Sequence, residues 1–479
     1  MAELLLKKYY YKEVTFMYQI DFNKPIHIHF IGIGGISMSG LAKLLNSRGF
    51  TISGSDWHSS DLTKELEVLN IQVFIGQQKE NITSDIDLVV YTAAVKEDNE
   101  EFLAAKEANI PLMPRSILLG QIMKQYPHAV GIAGTHGKTT TTSLLSALLL
   151  AGELDPTISV GGVLDLIGGN LRIGHSDYFV AEACEYTNTF LSLSPTDTII
   201  LNIEEDHLDF FKDLEEIRES FSNYIALVPE YGTTYINGEI DDYHAVCEKA
   251  ICHIESYGIS EEKPSPYTYT ATNIVYNTAG CASFDFIANN QYLGRVQLGL
   301  VGRHNVSNSL PAIALALKYG VPMETIQTAL PQFHGTKRRF EYKGTKNGFL
   351  IYDDYAHHPT EIRATLTSAK QCDHARIITV FQPHTYTRTK ALFHEFAEAL
   401  SLSDIVVMAE IYAARETDTL GVSSKALAEE IAKKGKEVYH FETFSEIEKF
   451  LLSFCSSGDL LITMGAGDIV SVADSLICN

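Results

Sequence analysis

The sequence predicts an α/β protein built as three consecutive domains, and three observations predict it. Glycine-rich turns at 32–35 and 134–137 each stand between an apolar strand and a helical pattern, too far apart to share one sheet. The segment from about 336 onward repeats strand, loop and amphipathic helix, the mark of a mainly parallel sheet. The length of 479 residues, 45% of them hydrophobic, suffices for several cores of ordinary size.

In the first domain, 1–120, an extension over 1–24 lacks the order of a signal peptide, and no apolar run reaches the length of a membrane span. A strand at 26–31 leads into Gly32, Gly34 and Gly35, and an amphipathic helix follows over 38–45. The next strand, 51–53, ends at Gly54-Ser55-Asp56, where Asp56 stands at the place of the acidic residue that meets a ribose in dinucleotide folds. A further strand at 87–91 ends in the small-residue turn Thr92-Ala93-Ala94-Val95. Ser37 occupies the third glycine position of G-x-G-x-x-G, so the fingerprint is imperfect. A sugar nucleotide is the expected ligand, and turn geometry alone does not separate it from a free dinucleotide.

The second domain, 121–335, opens on a buried strand at 129–133 followed by Gly134-Thr135-His136-Gly137-Lys138-Thr139-Thr140. Such a loop turns its N–H groups and a helix N-terminus toward phosphate. Lys138 can neutralise the terminal phosphates, and the Thr139 hydroxyl suits the shell of Mg2+. The pattern is a shortened phosphate loop, since Ile132 stands where a longer one carries glycine. Strands at 177–181 and 198–203 deliver Glu182, Glu185, Glu205, Asp206 and His207 to their carboxyl ends. Glu182 is placed to bridge two Mg2+ ions, one shared with Thr139 and the other with His207. Alternating residues around Asn289-Asn290 signal a hairpin within a small β insertion, 267–300. A helix over 308–319, with Pro311 in its first turn, closes the domain. Its lead-in carries Asn305 and Asn308, which either present amides to a purine edge or cap the helix.

Between the second and third domains, Lys337-Arg338-Arg339 is either a solvated charge run or a source of a guanidinium for a γ-phosphate. The third domain, 336–479, has strands at 349–352, 376–381, 405–408, 437–441 and 460–464. Ligands gather at the carboxyl ends of such strands, here the loops DDYAHHP (353–359), QPHTYTRT (382–389), EIYAARE (410–416) and GAGD (465–468).

A formal charge of −23 argues against a broad nucleic-acid surface, so anion binding has to be local. Seven scattered cysteines without paired C-x-x-C spacing imply neither a disulfide framework nor a zinc site, and fit a reducing cytoplasm.

Taken in order, GIGGISMSG, GTHGKTTT, the Glu182 region, NIEEDH, GRHNVSN, GTKRRF, DDYAHHP and QPHTYTR resemble the motif series of the Mur ligases, over essentially the whole chain after about residue 25. The resemblance implies an N-terminal Rossmann-like UDP-binding domain, a central P-loop ATPase and a C-terminal Rossmann-like domain for the amino acid. It implies ATP and Mg2+, with ATP phosphorylating the lactyl carboxylate of UDP-N-acetylmuramate. The amine of L-alanine then attacks the acyl phosphate, and a tetrahedral intermediate expels phosphate. The chain is expected to be cytoplasmic, a monomer or homodimer, without nucleic-acid or membrane partners.

By the same resemblance, Lys138 and Thr139 belong to the phosphate loop, Glu182 and His207 to the metals, and His304, Asn305 and Asn308 to adenine. Asp353 or Asp354 is expected near the ribose of ATP, and Arg339 at its γ-phosphate. Tyr355, His357 and Arg388 are expected around the amino acid, with Glu185 also on the substrate side. Gly32, Gly34, Gly35 and Asp56 would cradle the UDP portion. Departures from the family pattern are Cys184, Tyr186 and Thr187 in the acidic stretch, Thr385, Ala356, and Ser-Ile after Arg115. Rival readings are a ligase attaching a recycled tripeptide to the same sugar nucleotide, an NAD-dependent dehydrogenase, and a non-catalytic nucleotide-gated module.

Overall fold

In the computed structural model, residues 18–92, 94–207, 210–414, 416–417 and 420–478 are described. Most of the N-terminal extension (1–17), Ala93 of the small-residue turn and Arg415 of the loop at 410–416 lie outside the described residues. Three sheets follow one another along the chain.

The first sheet has five parallel strands in the order Gln72–Ile75, Thr51–Asp56, His27–Ile31, Leu88–Tyr91 and Leu112–Pro114. The two edge strands span four and three residues, too short for a sequence period to register. The strand expected to end at 53 continues through Asp56, because Gly54, Ser55 and Asp56 pair with Val73, Phe74 and Ile75. His27–Ile31 is the middle strand, with later strands on either side, so the glycine turn that follows it stands at the point where strand order reverses.

The central sheet has ten strands, with His128–Ala133 between Tyr178–Ala183 and Asp197–Ile200, all parallel. The expected β insertion is not a separate unit. Its three strands, Tyr269–Tyr276, Cys281–Ala288 and Gln291–Val301, are antiparallel to one another, but the first pairs in parallel with His253–Ile259 and extends the same sheet. Asn289 and Asn290 link the last two strands with φ of 49° and 62°, the left-handed pair that a two-residue hairpin demands. The helix expected over 308–319 runs instead from Arg303 to Lys318, with Pro311 in its interior. The missing N–H of Pro311 is tolerated because the helix packs on Lys138–Ala151, burying Val306, Leu310 and Ile313. Full burial of such a side chain contributes about 1.5–3 kcal/mol.

The third sheet has six strands in the order Glu341–Lys346, Phe349–Asp354, Leu460–Met464, Ile377–Phe381, Ile405–Met408 and Glu437–His440. Only Glu341–Lys346 is antiparallel, and its polar sequence hid it from periodicity. Among the described residues no helix is long and apolar enough to cross a membrane.

Candidate active site

The phosphate loop leaves the strand His128–Ala133 of the central sheet and enters the helix Lys138–Ala151. Gly137, at its N-cap, has φ of 85°, and a Cβ there would lie 3.0 Å from Asn308 Oδ1, so both backbone and space require glycine. Asn202, at the end of the neighbouring strand, clamps the loop: its Oδ1 accepts from the His136 N–H at 2.7 Å, and its Nδ2 donates to the His136 carbonyl at 3.0 Å. Lys138 Nζ donates to the Thr135 carbonyl at 3.0 Å and to both oxygens of Glu185 at 2.9 and 3.1 Å.

The acidic residues divide in a way the sequence did not indicate. Glu182, in register with Ile132, accepts from the Gly161 N–H at 2.5 Å and also bonds the Thr139 side chain. Burial raises its pKa, against the pull of those bonds and of Lys138 and Arg339. Glu185 lies past the strand end, and His207 Nε2 stands 3.8 Å from both Glu185 Oε1 and Asp206 Oδ2. No group of three or more His, Cys, Asp or Glu among the described residues is placed to hold a metal ion. His207 has φ of 53°, and its ring lies 4.4 Å from that of Tyr186, tilted by 34°; Tyr186 is one of the departures from the family pattern.

A cleft opens between the phosphate loop and the third sheet, lined by His136, Gly137, Thr140, His304, Asn305, Asn308, Arg339 and Asp354 among others. Asn305 donates to the Val301 carbonyl at 2.8 Å and accepts from Asn308 at 3.2 Å, so the pair ties the helix start to the preceding strand and faces the cleft, while among the described residues no side chain caps the helix at Gly302. The two aspartates separate cleanly. Asp353 is fully buried, paired with Arg338 Nε at 3.2 Å and accepting from Thr463 Oγ1 at 2.6 Å, and is not part of the cleft wall. Asp354 is part of it, accepting from the N–H groups of Ala356 and Phe340 and from Thr365 Oγ1, and burial pushes its carboxyl up to about 6. The run Lys337-Arg338-Arg339 is therefore no solvated face: Arg338 pairs inward, while Arg339 reaches the cleft with its guanidinium 5.3 Å from the Tyr355 ring.

Beside the cleft, His357 Nδ1 lies 3.0 Å from the Tyr355 carbonyl, which can only accept, so that nitrogen carries the proton. Burial lowers the His357 pKa, with Arg388 and Arg339 adding to the effect against Glu361. Thr385, at φ of 66°, turns the loop into the helix Tyr386–Ala391 that carries Arg388. Among the described residues no carboxylate pairs with Arg388.

On the first sheet, Asp56 Oδ2 accepts the Gly34 N–H at 2.9 Å. The residue expected at a ribose thus closes the glycine turn, and a Cβ on Gly34 would collide with it at 2.8 Å. Trp57, next in sequence and the chain's single tryptophan, is 62% exposed. Arg115 Nη1 donates to Ser37 Oγ at 2.8 Å, and among the described residues it has no carboxylate partner.

Comparison with known proteins fits this arrangement. Residues 27–127 match the Mur ligase family catalytic domain, 132–316 the Mur ligase middle domain, and 338–467 the Mur ligase glutamate ligase domain. The chain belongs to the Mur ligase family. It is 57% identical to UDP-N-acetylmuramate–L-alanine ligase of Lachnospira eligens, covering 96% of this chain and 100% of the relative. The corresponding ligase of Lachnoclostridium phytofermentans is 54% identical, with coverage of 96% and 100%. The crystal structure of UDP-N-acetylmuramate-alanine ligase from Thermotoga maritima superposes with a TM-score of 0.77 at 29% identity, covering 94% of this chain and 98% of that one. A murein peptide ligase from Psychrobacter arcticus gives 0.67 at 25% identity, with coverage of 95% and 98%.

As a Mur ligase, the chain carries site residues that its motifs did not single out. Asn202 lies inside the NIEEDH motif, but only the fold reveals that it braces the phosphate loop. Glu361 lies two residues past the end of DDYAHHP and reads in sequence as a helix-start carboxylate. Its contacts with the other segments of the site depend on long-range packing.

Proposed function

We propose that this Mur ligase joins L-alanine to the lactyl carboxylate of UDP-N-acetylmuramate, converting ATP to ADP and phosphate and yielding UDP-N-acetylmuramoyl-L-alanine for peptidoglycan precursor synthesis. One observation carries the reading: the phosphate loop, Arg339 and, from the third sheet, Asp354 with the helix start at Thr360 and Glu361 converge on one cleft, in a chain whose relatives named for this ligation align over their full length. Residues 1–120 are assigned to the UDP-sugar, 121–335 to ATP and 336–479 to the amino acid.

The residues divide the work by charge. A carboxylate attacking a γ-phosphate meets like charge, which Lys138 and Arg339 offset in the transition state without forming bonds. Gly134, Thr135, His136, Gly137 and Thr140 enclose the phosphates, Asn305 and Asn308 with His304 face the base, and Asp354 suits the ribose. Glu182 and Thr139 fit Mg2+, which takes one or two protein oxygens and completes its shell with water and phosphate. The burial-raised pKa of Glu182 fits as well, since Lys138 is already engaged by Glu185 and leaves Glu182 short of positive charge. His207, with Glu185, would complete a second site through water. The ion supplies charge neutralisation at the transferring phosphoryl group.

Once the γ-phosphate has passed to the carboxylate with ADP as the leaving group, the L-alanine nitrogen attacks the acyl carbon, the tetrahedral intermediate expels phosphate, and the nitrogen loses a proton. His357 suits that last role, because Nδ1–H is committed to the Tyr355 carbonyl and burial keeps the ring neutral, leaving the Nε2 lone pair free. Arg388 and Tyr355 would hold the incoming amino acid, and Arg115 an anionic group of the UDP-sugar near Gly32, Gly34 and Gly35. Closure of the third domain excludes water from the acyl phosphate.

The test is ADP release by the purified protein with Mg-ATP and UDP-N-acetylmuramate, comparing L-alanine, L-serine, glycine and L-Ala-γ-D-Glu-meso-diaminopimelate. Preferred turnover with L-alanine supports the reading. Preference for the tripeptide moves the protein to recycling, and no turnover with any of them returns it to a nucleotide-gated module.

A further inference from the structure

Glu361 occupies the third position of the helix Pro359–Ala369, where it completes a capping box with His358. A carboxylate in that role needs one oxygen and ordinarily faces water. Here the side chain is only 14% exposed, and its two oxygens face different parts of the protein. Oε2 does the capping, accepting from the N–H groups of His357 at 3.0 Å and His358 at 3.2 Å. Oε1 faces His136 Nδ1 of the phosphate loop at 3.5 Å and Arg339 Nη1 of the link between the second and third sheets at 3.8 Å.

We propose that Glu361 is a positioning residue for phosphoryl transfer, a clasp whose free oxygen draws Arg339 and the phosphate-loop His136 onto the third domain as the cleft closes. The proposal rests on the reading of Arg339 as the γ-phosphate contact. Capping accounts for Oε2 alone and leaves Oε1 without a purpose, in a place where three separate stretches of chain meet. His136 strengthens the case. Both its ring nitrogens are buried without a hydrogen-bond partner, one toward Glu361 and the other 3.7 Å from Glu204 Oε2. Charge-assisted bonds settle at about 2.7–2.9 Å, so the contacts from Oε1 stand about 1 Å short of closure. Burial would raise the Glu361 carboxyl, yet His136 and Arg339 beside it hold it well below the usual range, so the clasp is ionised. Tyr355 flanks Arg339 from the other side, which leaves the guanidinium few alternative directions.

Glu361→Gln separates the two roles, because the amide oxygen still caps the helix while the charge opposite Arg339 and His136 is gone. The full chain would be assayed for ADP release, for equilibrium binding of ADP, which lacks the γ-phosphate, and for its melting temperature. We expect kcat to fall about 10²-fold, the cost of misplacing a catalytic group by about 1 Å, with ADP affinity within about threefold and the melt unchanged. In an Arg339→Lys background the same substitution should add little, since the two act as a unit. A kcat within about twofold of the parent, a fall in ADP affinity that matches the fall in kcat, or full additivity with Arg339→Lys would overturn the proposal. If Arg339→Lys alone leaves kcat intact, the γ-phosphate reading itself fails and takes the clasp with it; an impaired Arg339→Lys beside a silent Glu361→Gln removes the clasp only.

Discussion

Lys138 Nζ lies 2.9 Å from Glu185 Oε2, and Glu185 is only 2% exposed. Burial alone would lower the Lys138 pKa, but the Glu185 carboxylate outweighs it and holds the ammonium above its ordinary value. A lysine shifted upward stabilises the fold fully below its unfolded pKa of about 10.4, and loses that contribution only as pH rises through the higher folded value. The phosphate-loop charge is therefore fixed throughout the neutral range.

Lys138→Ala should abolish ADP formation while leaving UDP-sugar affinity nearly intact, because the two ligands are assigned to different sheets. Equal loss of both, measured by turnover and by equilibrium binding, would contradict the domain assignment. Glu185→Gln should remove the main opposition to burial and lower the Lys138 pKa, so the pH–rate profile should fall off at lower alkaline pH than in the parent. An unmoved alkaline limb would show that Glu185 does not set that charge.

Arg388 has no carboxylate partner among the described residues. Charged hydrogen bonds contribute about 1.5–3 kcal/mol, so Arg388→Ala should raise the KM for L-alanine about 10- to 100-fold while that for ATP changes little. Parallel shifts in both constants would remove Arg388 from the amino-acid site.

Arg115 stands in an acidic chain, and among the described residues its side chain bonds to the Ser37 hydroxyl and to no carboxylate. Its guanidinium pKa is lowered, chiefly by burial, as expected of a cation lacking a counterion. Arg115→Ala should raise the KM for UDP-N-acetylmuramate about 10- to 100-fold and spare that for L-alanine. Steady-state kinetics with each substrate varied in turn decides the matter.

Asp354 titrates near 6 because burial penalises its charged form. An aspartate shifted upward takes up a proton more readily folded than unfolded, so its contribution to stability declines as pH rises from about 4 to about 6. If its carboxylate accepts from ATP, the KM for ATP should rise as pH drops through about 6, and Asp354→Asn should flatten that dependence. A parent KM that stays level across pH 5–7 would argue against the ribose role.

Much of the site was legible because chemistry-bearing residues cluster after strands, and strands with mostly apolar residues show themselves as runs. His128–Ala133 and Leu460–Met464 were found that way, and the phosphate loop with them. What escaped depends on distance in sequence. Glu361 meets His136 across 225 positions, and Arg115 meets Ser37 across 78. Asp56 matched its motif position but turned inward onto Gly34, since spacing specifies where a carboxylate stands and not which way it faces. Pro311 misled by position: proline suggests a helix start, whereas packing on the phosphate-loop helix carries this helix through it.

The single exposed indole at Trp57 has an optical consequence. In a chain of 479 residues, tryptophan emission comes from one corner, a residue beyond the carboxylate that closes the first glycine turn. A ligand seated at that turn would alter the environment of the fluorophore directly, whereas one seated at the central sheet would reach it only by moving one layer against another. The unmutated protein thus carries a built-in gauge that separates occupancy of its first domain from communication between its domains.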